Sequence, residues 1–210
     1  MMDYEYFIFD LDGTLIDSTP CHVRAFNFAI SNSSLAGKID FNYEEMKGKR
    51  TIDVMTELGF QFNEAERLTK VKQEKYREFV QNGEVDLFDD VIESFRFLKN
   101  RSKKVYICTG ASRSSVEIIL KKFNMAEYID DFITGSDVEK AKPAPDILNN
   151  LIETNNLEKA KCLFVEDSEN GKVCGELAGV KTVMVNNSDF IDKGGFENYS
   201  LFFQNLQGGV

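Results

Sequence analysis

Short apolar runs at residues 4–9, 105–108, 132–133, 163–165 and 183–185 punctuate the chain, with helical patterns filling the intervals. The runs lack the alternation of a half-exposed strand, so they predict a parallel sheet buried on both faces. Residues 114–123 bring Val116, Ile119, Leu120 and Phe123 to one helical face, and residues 145–152 form a second such segment. This strand and helix succession predicts an α/β layered core. One interval breaks the rhythm. From Asp17 to about Gly83 candidate strands are scarce, and residues 64–80 carry Leu68, Val71, Lys72, Lys75, Tyr76 and Phe79 at helical spacing. The pattern predicts a helical insertion after the first strand: a cap of residues 18–83 on a core of residues 1–17 and 84–210. The stretch from Asn186 on, with paired glycines at 194–195 and 208–209, reads as a loop-rich closure of the core with little chemistry.

The length of 210 residues suits one sizeable core plus a smaller insertion. With 42% hydrophobic and 29% charged residues, and only 3 Pro and 14 Gly, nearly all of it is expected to fold. A net charge of −10 disfavours nucleic acid and anionic membrane as partners, so an anionic ligand needs local cations. The N-terminus has no basic region followed by an apolar stretch, which makes the cytoplasm the default location, and a monomer is the default state. Cys21, Cys108, Cys162 and Cys174 show no metal-ligand spacing and read as buried or idle thiols.

Four polar segments follow four of the apolar runs. The first is Phe-Asp10-Leu-Asp12-Gly-Thr-Leu-Ile-Asp17-Ser, two carboxylates one residue apart where the chain leaves the sheet. The others are Thr109-Gly110-Ala111, Lys142-Pro143 and Glu166-Asp167. In an open parallel sheet, ligands bind beyond the carboxyl ends of the strands, so these groups are expected to converge. Asp10, Asp12, Glu166 and Asp167 around a phosphate ester would leave Lys142 heavily outnumbered. Two unit charges about 4 Å apart interact by about 4 kcal/mol at an effective dielectric near 20, so such a cluster requires a divalent cation. Oxygen ligands favour Mg²⁺. Asp10, at the strand end, is then the expected nucleophile toward phosphorus, and Asp12, across the turn, the expected acid and base. The Thr109 hydroxyl and the backbone of Gly110 and Ala111 would hold phosphoryl oxygens, with Lys142 neutralising charge.

These four ordered segments, the last extending through Val-Glu166-Asp167-Ser168-Glu-Asn-Gly171, resemble the motifs of the haloacid dehalogenase-like hydrolase superfamily over essentially the whole chain. The insertion resembles the helical cap of the branch that includes β-phosphoglucomutases and phosphoglycolate phosphatases. The resemblance implies a Rossmann-like parallel sheet with helices on both faces and an inserted α-helical cap domain. It also implies a Mg²⁺-dependent phosphatase hydrolysing small phosphomonoesters, a sugar phosphate or similar, through an aspartyl-phosphate. Asp10, the Asp12 carbonyl, Glu166 and Asp167 would hold the metal. In the cap it points to His22, Lys72, Gly48 and Arg50 as possible substrate contacts.

Other readings stand beside these. Asp10 to Gly13 could be a turn or calcium-loop fragment, although Cys21 occupies the position where that loop needs Glu. Glu166 and Asp167 could cap the following helix, His22 could be a packed histidine, and Lys72 a solvated one. A mutase would need a cap arginine where this chain has Thr51, with Arg50 as a substitute. Asp89-Asp90 stands where many relatives of this kind carry Pro-Gly. A non-enzymatic phospho-acceptor would place its acid pair and acceptor on different strands.

Overall fold

The computed structural model of the chain describes residues 4–208. It contains strands β1 (Tyr6–Phe9) and β2 (Ile16–Asp17), then helices α1 (Thr19–Ser31), α2 (Tyr43–Met46), α3 (Thr51–Glu57) and α4 (Phe62–Gln81). The chain returns through β3 (Asp86–Leu87) and continues with α5 (Val91–Lys99), β4 (Lys104–Thr109), α6 (Arg113–Lys122), β5 (Asp131–Thr134) and α7 (Asp146–Thr154). It ends with β6 (Cys162–Glu166), α8 (Glu169–Ala178), β7 (Lys181–Met184) and α9 (Tyr199–Gly208). Among the described residues five strands form one parallel sheet in the order β5-β4-β1-β6-β7.

The absence of alternation in the apolar runs has a direct cause. Alternate residues of each central strand face opposite layers, and both layers are covered. Phe7, Phe9, Val105, Ile107, Leu163 and Val165 pack with α5, α6 and α9. Ile8, Tyr106, Cys108 and Phe164 pack with α7 and α8. A third cluster, with Phe26, Ala29, Val54, Met55, Ala65 and Leu68, joins α1, α3 and α4 to one another. The insertion therefore has its own apolar interior. It departs from and returns to the sheet through the antiparallel pair β2 and β3. At the return, Asp90 takes φ +67°, a left-handed conformation that glycine adopts more readily.

The C-terminal expectation needs correction. The segment after Asn186 is not only loop, because α9 buries Tyr199, Phe202, Phe203 and Leu206 to 3% exposure or less. Each such side chain contributes about 1.5–3 kcal/mol by leaving water, so the helix is a structural part of the core. Its start follows from Asn198, whose side chain accepts from the Leu201 N–H at 2.9 Å. All four cysteines are buried and unpaired. Among the described residues no helix is long and apolar enough to cross a membrane.

Candidate active site

Because β4, β1 and β6 are neighbours in parallel register, their carboxyl ends deliver Thr109, Asp10 and Glu166-Asp167 to one edge. Lys142, from the connection between β5 and α7, reaches the same place and is 1% exposed. Its Nζ donates to Asp10 Oδ1 at 2.6 Å, to Glu166 Oε1 at 2.6 Å and to the Cys108 carbonyl at 2.9 Å. Three donors meet three acceptors, so the ammonium is fully used. Burial works against its charge, but Asp10 and Glu166 outweigh that and hold its pKa well above the usual lysine value. Burial pushes the Asp10 carboxyl up, with Lys142 acting in the opposite direction.

Glu166, an expected metal ligand, is held by protein donors on both carboxylate oxygens. Besides Lys142 on Oε1, its Oε2 accepts from the N–H groups of Asp167 and Ser168 at 2.8 Å each and from the Ser168 hydroxyl at 2.9 Å. With both oxygens committed to protein donors, Glu166 fixes Lys142 and the start of α8. The capping role falls to Ser168, whose hydroxyl accepts from the Gly171 N–H at 3.0 Å. Asp167 is held differently. Its Oδ2 pairs with Lys47 Nζ at 2.5 Å, its Oδ1 accepts from the Thr14 hydroxyl at 3.4 Å, and its carbonyl from Asn187 at 2.8 Å. Burial and the Glu166 charge push its carboxyl up to about 7, against Lys47.

Asp12 sits in a separate network made largely by the insertion. Its Oδ1 accepts from Ser18 Oγ at 2.8 Å, Tyr76 Oη at 2.7 Å and His22 Nε2 at 2.8 Å. Since Nε2 donates to the carboxylate, Nδ1 of a neutral imidazole is the acceptor, and it receives Lys72 Nζ at 2.7 Å. The ring stacks on Tyr76 with centroids 4.0 Å apart and faces Tyr43 at 5.8 Å. Burial alone would raise the Asp12 pKa, yet His22, Tyr76 and Ser18 hold it well below the usual carboxylate range. Lys72 is no solvated helix lysine. It is 4% exposed, lies 4.5 Å from the Phe26 ring centroid, and burial lowers its pKa to about 7 despite Asp12.

A cavity of about 40 Å³ opens beside Asp10 and Asp12 and is lined by His22, Lys72, Thr109, Gly110 and Ala111. Phe26, Tyr43, Met46, Gly48, Lys49 and Thr51 complete its wall. Thr109 Oγ1 accepts from the Ala111 N–H at 3.1 Å, so that amide is tied to the loop in this state. Of the expected residues the cavity gathers Asp10, Asp12, His22, Gly48, Lys72, Thr109, Gly110 and Ala111, whereas Lys142, Glu166, Asp167 and Arg50 are not among its lining. The Arg50 guanidinium makes a two-point pair with Asp53 at 2.6 and 2.7 Å and donates to the Val138 carbonyl at 2.8 Å, pinning the start of α3 to the core outside the cavity. Thr51 takes the inward position. Tyr76, Ser18, Tyr43, Lys47 and Asn186 were not anticipated. Tyr76 carried a signal, four residues after Lys72 on the same helical face. Asn186 donates to the Gly13 carbonyl at 2.8 Å and accepts from the Tyr199 N–H at 2.7 Å, tying the acidic turn to α9.

Among the described residues no three His, Cys, Asp or Glu side chains form a ready-made metal cage. Asp10 and Asp167 nevertheless fit a cation that shares its ligands with a bound phosphate. Gly13 turns with φ +84°, and a Cβ there would collide with the Asp167 carboxylate, so this glycine lets the second acid close on the first turn. Both acids are buried and both are pushed toward protonation, the state of carboxylates short of positive charge.

A sequence profile of the haloacid dehalogenase-like hydrolases matches residues 7–185. Pyrophosphatase PpaX of Bacillus cereus is 30% identical over 188 residues, covering 85% of this chain and 81% of the relative. Protein CbbY of Rhodobacter capsulatus is 29% identical over 194 residues, covering 87% and 86%. The crystal structure of CbbY from Rhodobacter sphaeroides with xylulose-1,5-bisphosphate superposes with a TM-score of 0.76 at 21% identity, over 87% of this chain and 86% of that one. That last similarity is one of fold.

Proposed function

The chain belongs to the haloacid dehalogenase-like hydrolase family, and from that premise we propose that it is a Mg²⁺-dependent phosphatase of small phosphorylated molecules. The carrying observation is the division of labour between two neighbouring carboxylates: Asp10 fastened to Lys142 in the core, Asp12 gripped by His22, Tyr76 and Ser18. Lys142 occupies Asp10 Oδ1, which orients the other oxygen as the nucleophile. That oxygen bonds to phosphorus as the bond from phosphorus to the leaving oxygen breaks, and Asp12 delivers a proton to the departing alkoxide. In the second half Asp12 removes a proton from water, water oxygen bonds to phosphorus, and the bond to Asp10 breaks.

The donors around Asp12 favour its anion, the form that deprotonates water. Donation to the leaving group requires the negative charge of a bound phosphate beside it, which raises its proton affinity. Asp10, the Asp12 carbonyl, Asp167 and Glu166 would hold Mg²⁺, which when bound supplies neutralisation of phosphoryl charge. Lys142 adds positive charge beside Asp10, and the cap side chains over the cavity would exclude water during transfer. We assign residues 18–83 as the cap and residues 1–17 with 84–210 as the catalytic core.

Hydrolysis is favoured over a mutase reaction because Thr51, and no guanidinium, faces the cavity, leaving a second phosphate without an arginine anchor. The small cavity and its two cap lysines, Lys49 and Lys72, suit a compact anionic or polar leaving group. The names of the relatives, a pyrophosphatase and a protein crystallised with a sugar bisphosphate, support small phosphate compounds as substrates. The test is phosphate release from a panel of sugar phosphates, phosphoglycolate and pyrophosphate, with and without Mg²⁺. Chelation is expected to stop release and Asp10→Asn to reduce it to background. Undiminished release by Asp10→Asn would overturn the mechanism.

A further inference from the structure

The ammonium nearest Asp167 does not come from the core. Lys47 follows α2 in the insertion, yet its Nζ lies 2.5 Å from Asp167 Oδ2, with its side chain 12% exposed and that of Asp167 1% exposed. Its Cε lies 3.1 Å from the point where a Cβ on Gly13 would sit, so the head group rests on the turn that carries Asp10 and Asp12. The backbone is fastened as well. Asn170, in the first turn of α8, donates through Nδ2 to the Lys47 carbonyl at 2.8 Å. Lys47 is therefore delivered to the acidic end of the sheet by a segment that itself docks there. Lys142 cannot substitute, because its three donors are spent on Asp10, Glu166 and Cys108.

We propose that Lys47 is an interlock between cap and metal site: its ammonium stands in for the divalent cation at Asp167 in the closed, metal-free protein and leaves that carboxylate when Mg²⁺ takes it. The inference rests on the Mg²⁺ reading above and adds a competitor to it. A buried carboxylate beside Glu166 needs a positive partner, and an ammonium and a divalent ion crowded onto one buried oxygen pair repel each other. Metal binding and the Lys47 contact are then mutually exclusive at Asp167. By linkage, the contact weakens metal binding by the same factor by which metal weakens the contact. The contact is one of three that hold residues 43–51 against the core, beside those of Asn170 with the Lys47 carbonyl and Arg50 with the Val138 carbonyl, so metal entry loosens that segment and frees an ammonium there. An empty site stays shut, and a metal-loaded one can open to substrate.

Two measurements test this without an activity readout: isothermal titration of the purified full chain with Mg²⁺, and hydrogen exchange of residues 43–51 without metal. Lys47→Met keeps the apolar stem and removes the charge. It is expected to bind Mg²⁺ roughly tenfold more tightly than wild type, within the usual range of coupling between sites. It is also expected to exchange faster over 43–51 in metal-free protein, with Lys47→Arg close to wild type in both. Equal or weaker Mg²⁺ binding by Lys47→Met would overturn the interlock and leave the phosphatase reading standing. Failure of both wild type and Lys47→Met to bind Mg²⁺ would remove the metal reading and the interlock with it.

Discussion

Replacing Lys142 by Met separates the electrostatic role of this residue from its bulk. The substitution keeps an unbranched side chain of similar length in a site that is 1% exposed and removes the ammonium shared by Asp10 and Glu166. Two buried carboxylates, each 2.6 Å from that ammonium in the native protein, would lose their common partner, and the Cys108 carbonyl would lose a donor. Breaking a buried ion pair by removing one member typically costs about 3–5 kcal/mol, because the remaining charge stays desolvated. For a chain of this size about 2–4 °C of melting temperature accompanies each kcal/mol, so the expected drop is about 6–20 °C.

The sign of the pH dependence follows from the same groups. Burial already raises the Asp10 pKa against the pull of Lys142, so without Lys142 it rises further and the folded protein binds a proton that the unfolded chain does not. The stability deficit should shrink as pH falls toward the ordinary carboxylate range and grow as pH rises through the elevated Asp10 value. Differential scanning fluorimetry of both proteins from pH 4.5 to 8, with circular dichroism to confirm folding, reads this directly. Glu166→Gln in the Lys142→Met background should recover part of the loss by removing one orphaned charge. A melting temperature within about 2 °C of wild type at pH 8, which corresponds to less than about 1 kcal/mol, would refute the claim that this lysine balances both acids. So would a deficit independent of pH.

Lys72, whose buried pKa lies near 7, makes an opposite pH signature. Between about pH 7 and the ordinary lysine value the unfolded chain binds a proton that the folded chain has shed, so wild-type stability rises with pH there, by at most about 1.4 kcal/mol per unit. Urea unfolding of Lys72→Met should lack this slope, and an unchanged slope would show that Lys72 is not the group responsible. Gly171→Ala sets two local effects against each other. Alanine in a helix is favoured over glycine by about 1 kcal/mol, but here its Cβ would collide with the Glu166 carboxylate. The collision should win, with a net loss of about 1–3 kcal/mol in urea unfolding and reduced phosphate release as Lys142 loosens; equal or greater stability would show that Glu166 is not locked in place.

How much of this was legible in sequence depends on what fixes a side chain in space. The core groups were readable because a parallel sheet fixes them twice over: each follows a buried apolar run, and neighbouring strands in register place those run ends together. Asp10, Thr109 and Asp167 needed no further information to be assigned to one edge. Glu166 shows the limit of that logic. It stands at the same edge, but whether a strand-end carboxylate faces a ligand or the protein depends on which N–H groups lie beneath it. Here the amides of Asp167 and Ser168 and the ammonium of Lys142 all bond to it, an arrangement that the sequence does not display. α9 carries its own signal despite the paired glycines around it: Tyr199, Phe202, Phe203 and Leu206 follow Asn198 at helical spacing.

The insertion is less legible because its contribution to the site arises from docking one unit on another. Gly48, Lys49, Arg50 and Thr51 are consecutive, yet Arg50 bonds Asp53 and the Val138 carbonyl while Thr51 lines the cavity. A step of one residue at the start of α3 turns a side chain by about 100° of helix. That rotation decides whether the cap offers a guanidinium or a hydroxyl to a ligand, and composition is blind to it. The same holds for Lys47, whose significance lies in its reach across to Asp167. On the proposed reading the reaction class rests on residues that the sheet places, whereas choice of acceptor and coupling to the metal rest on residues of the insertion. Substitutions at Lys47, Thr51 and Lys72 should accordingly alter affinity, closure and selectivity while leaving the chemistry at Asp10 unchanged in kind.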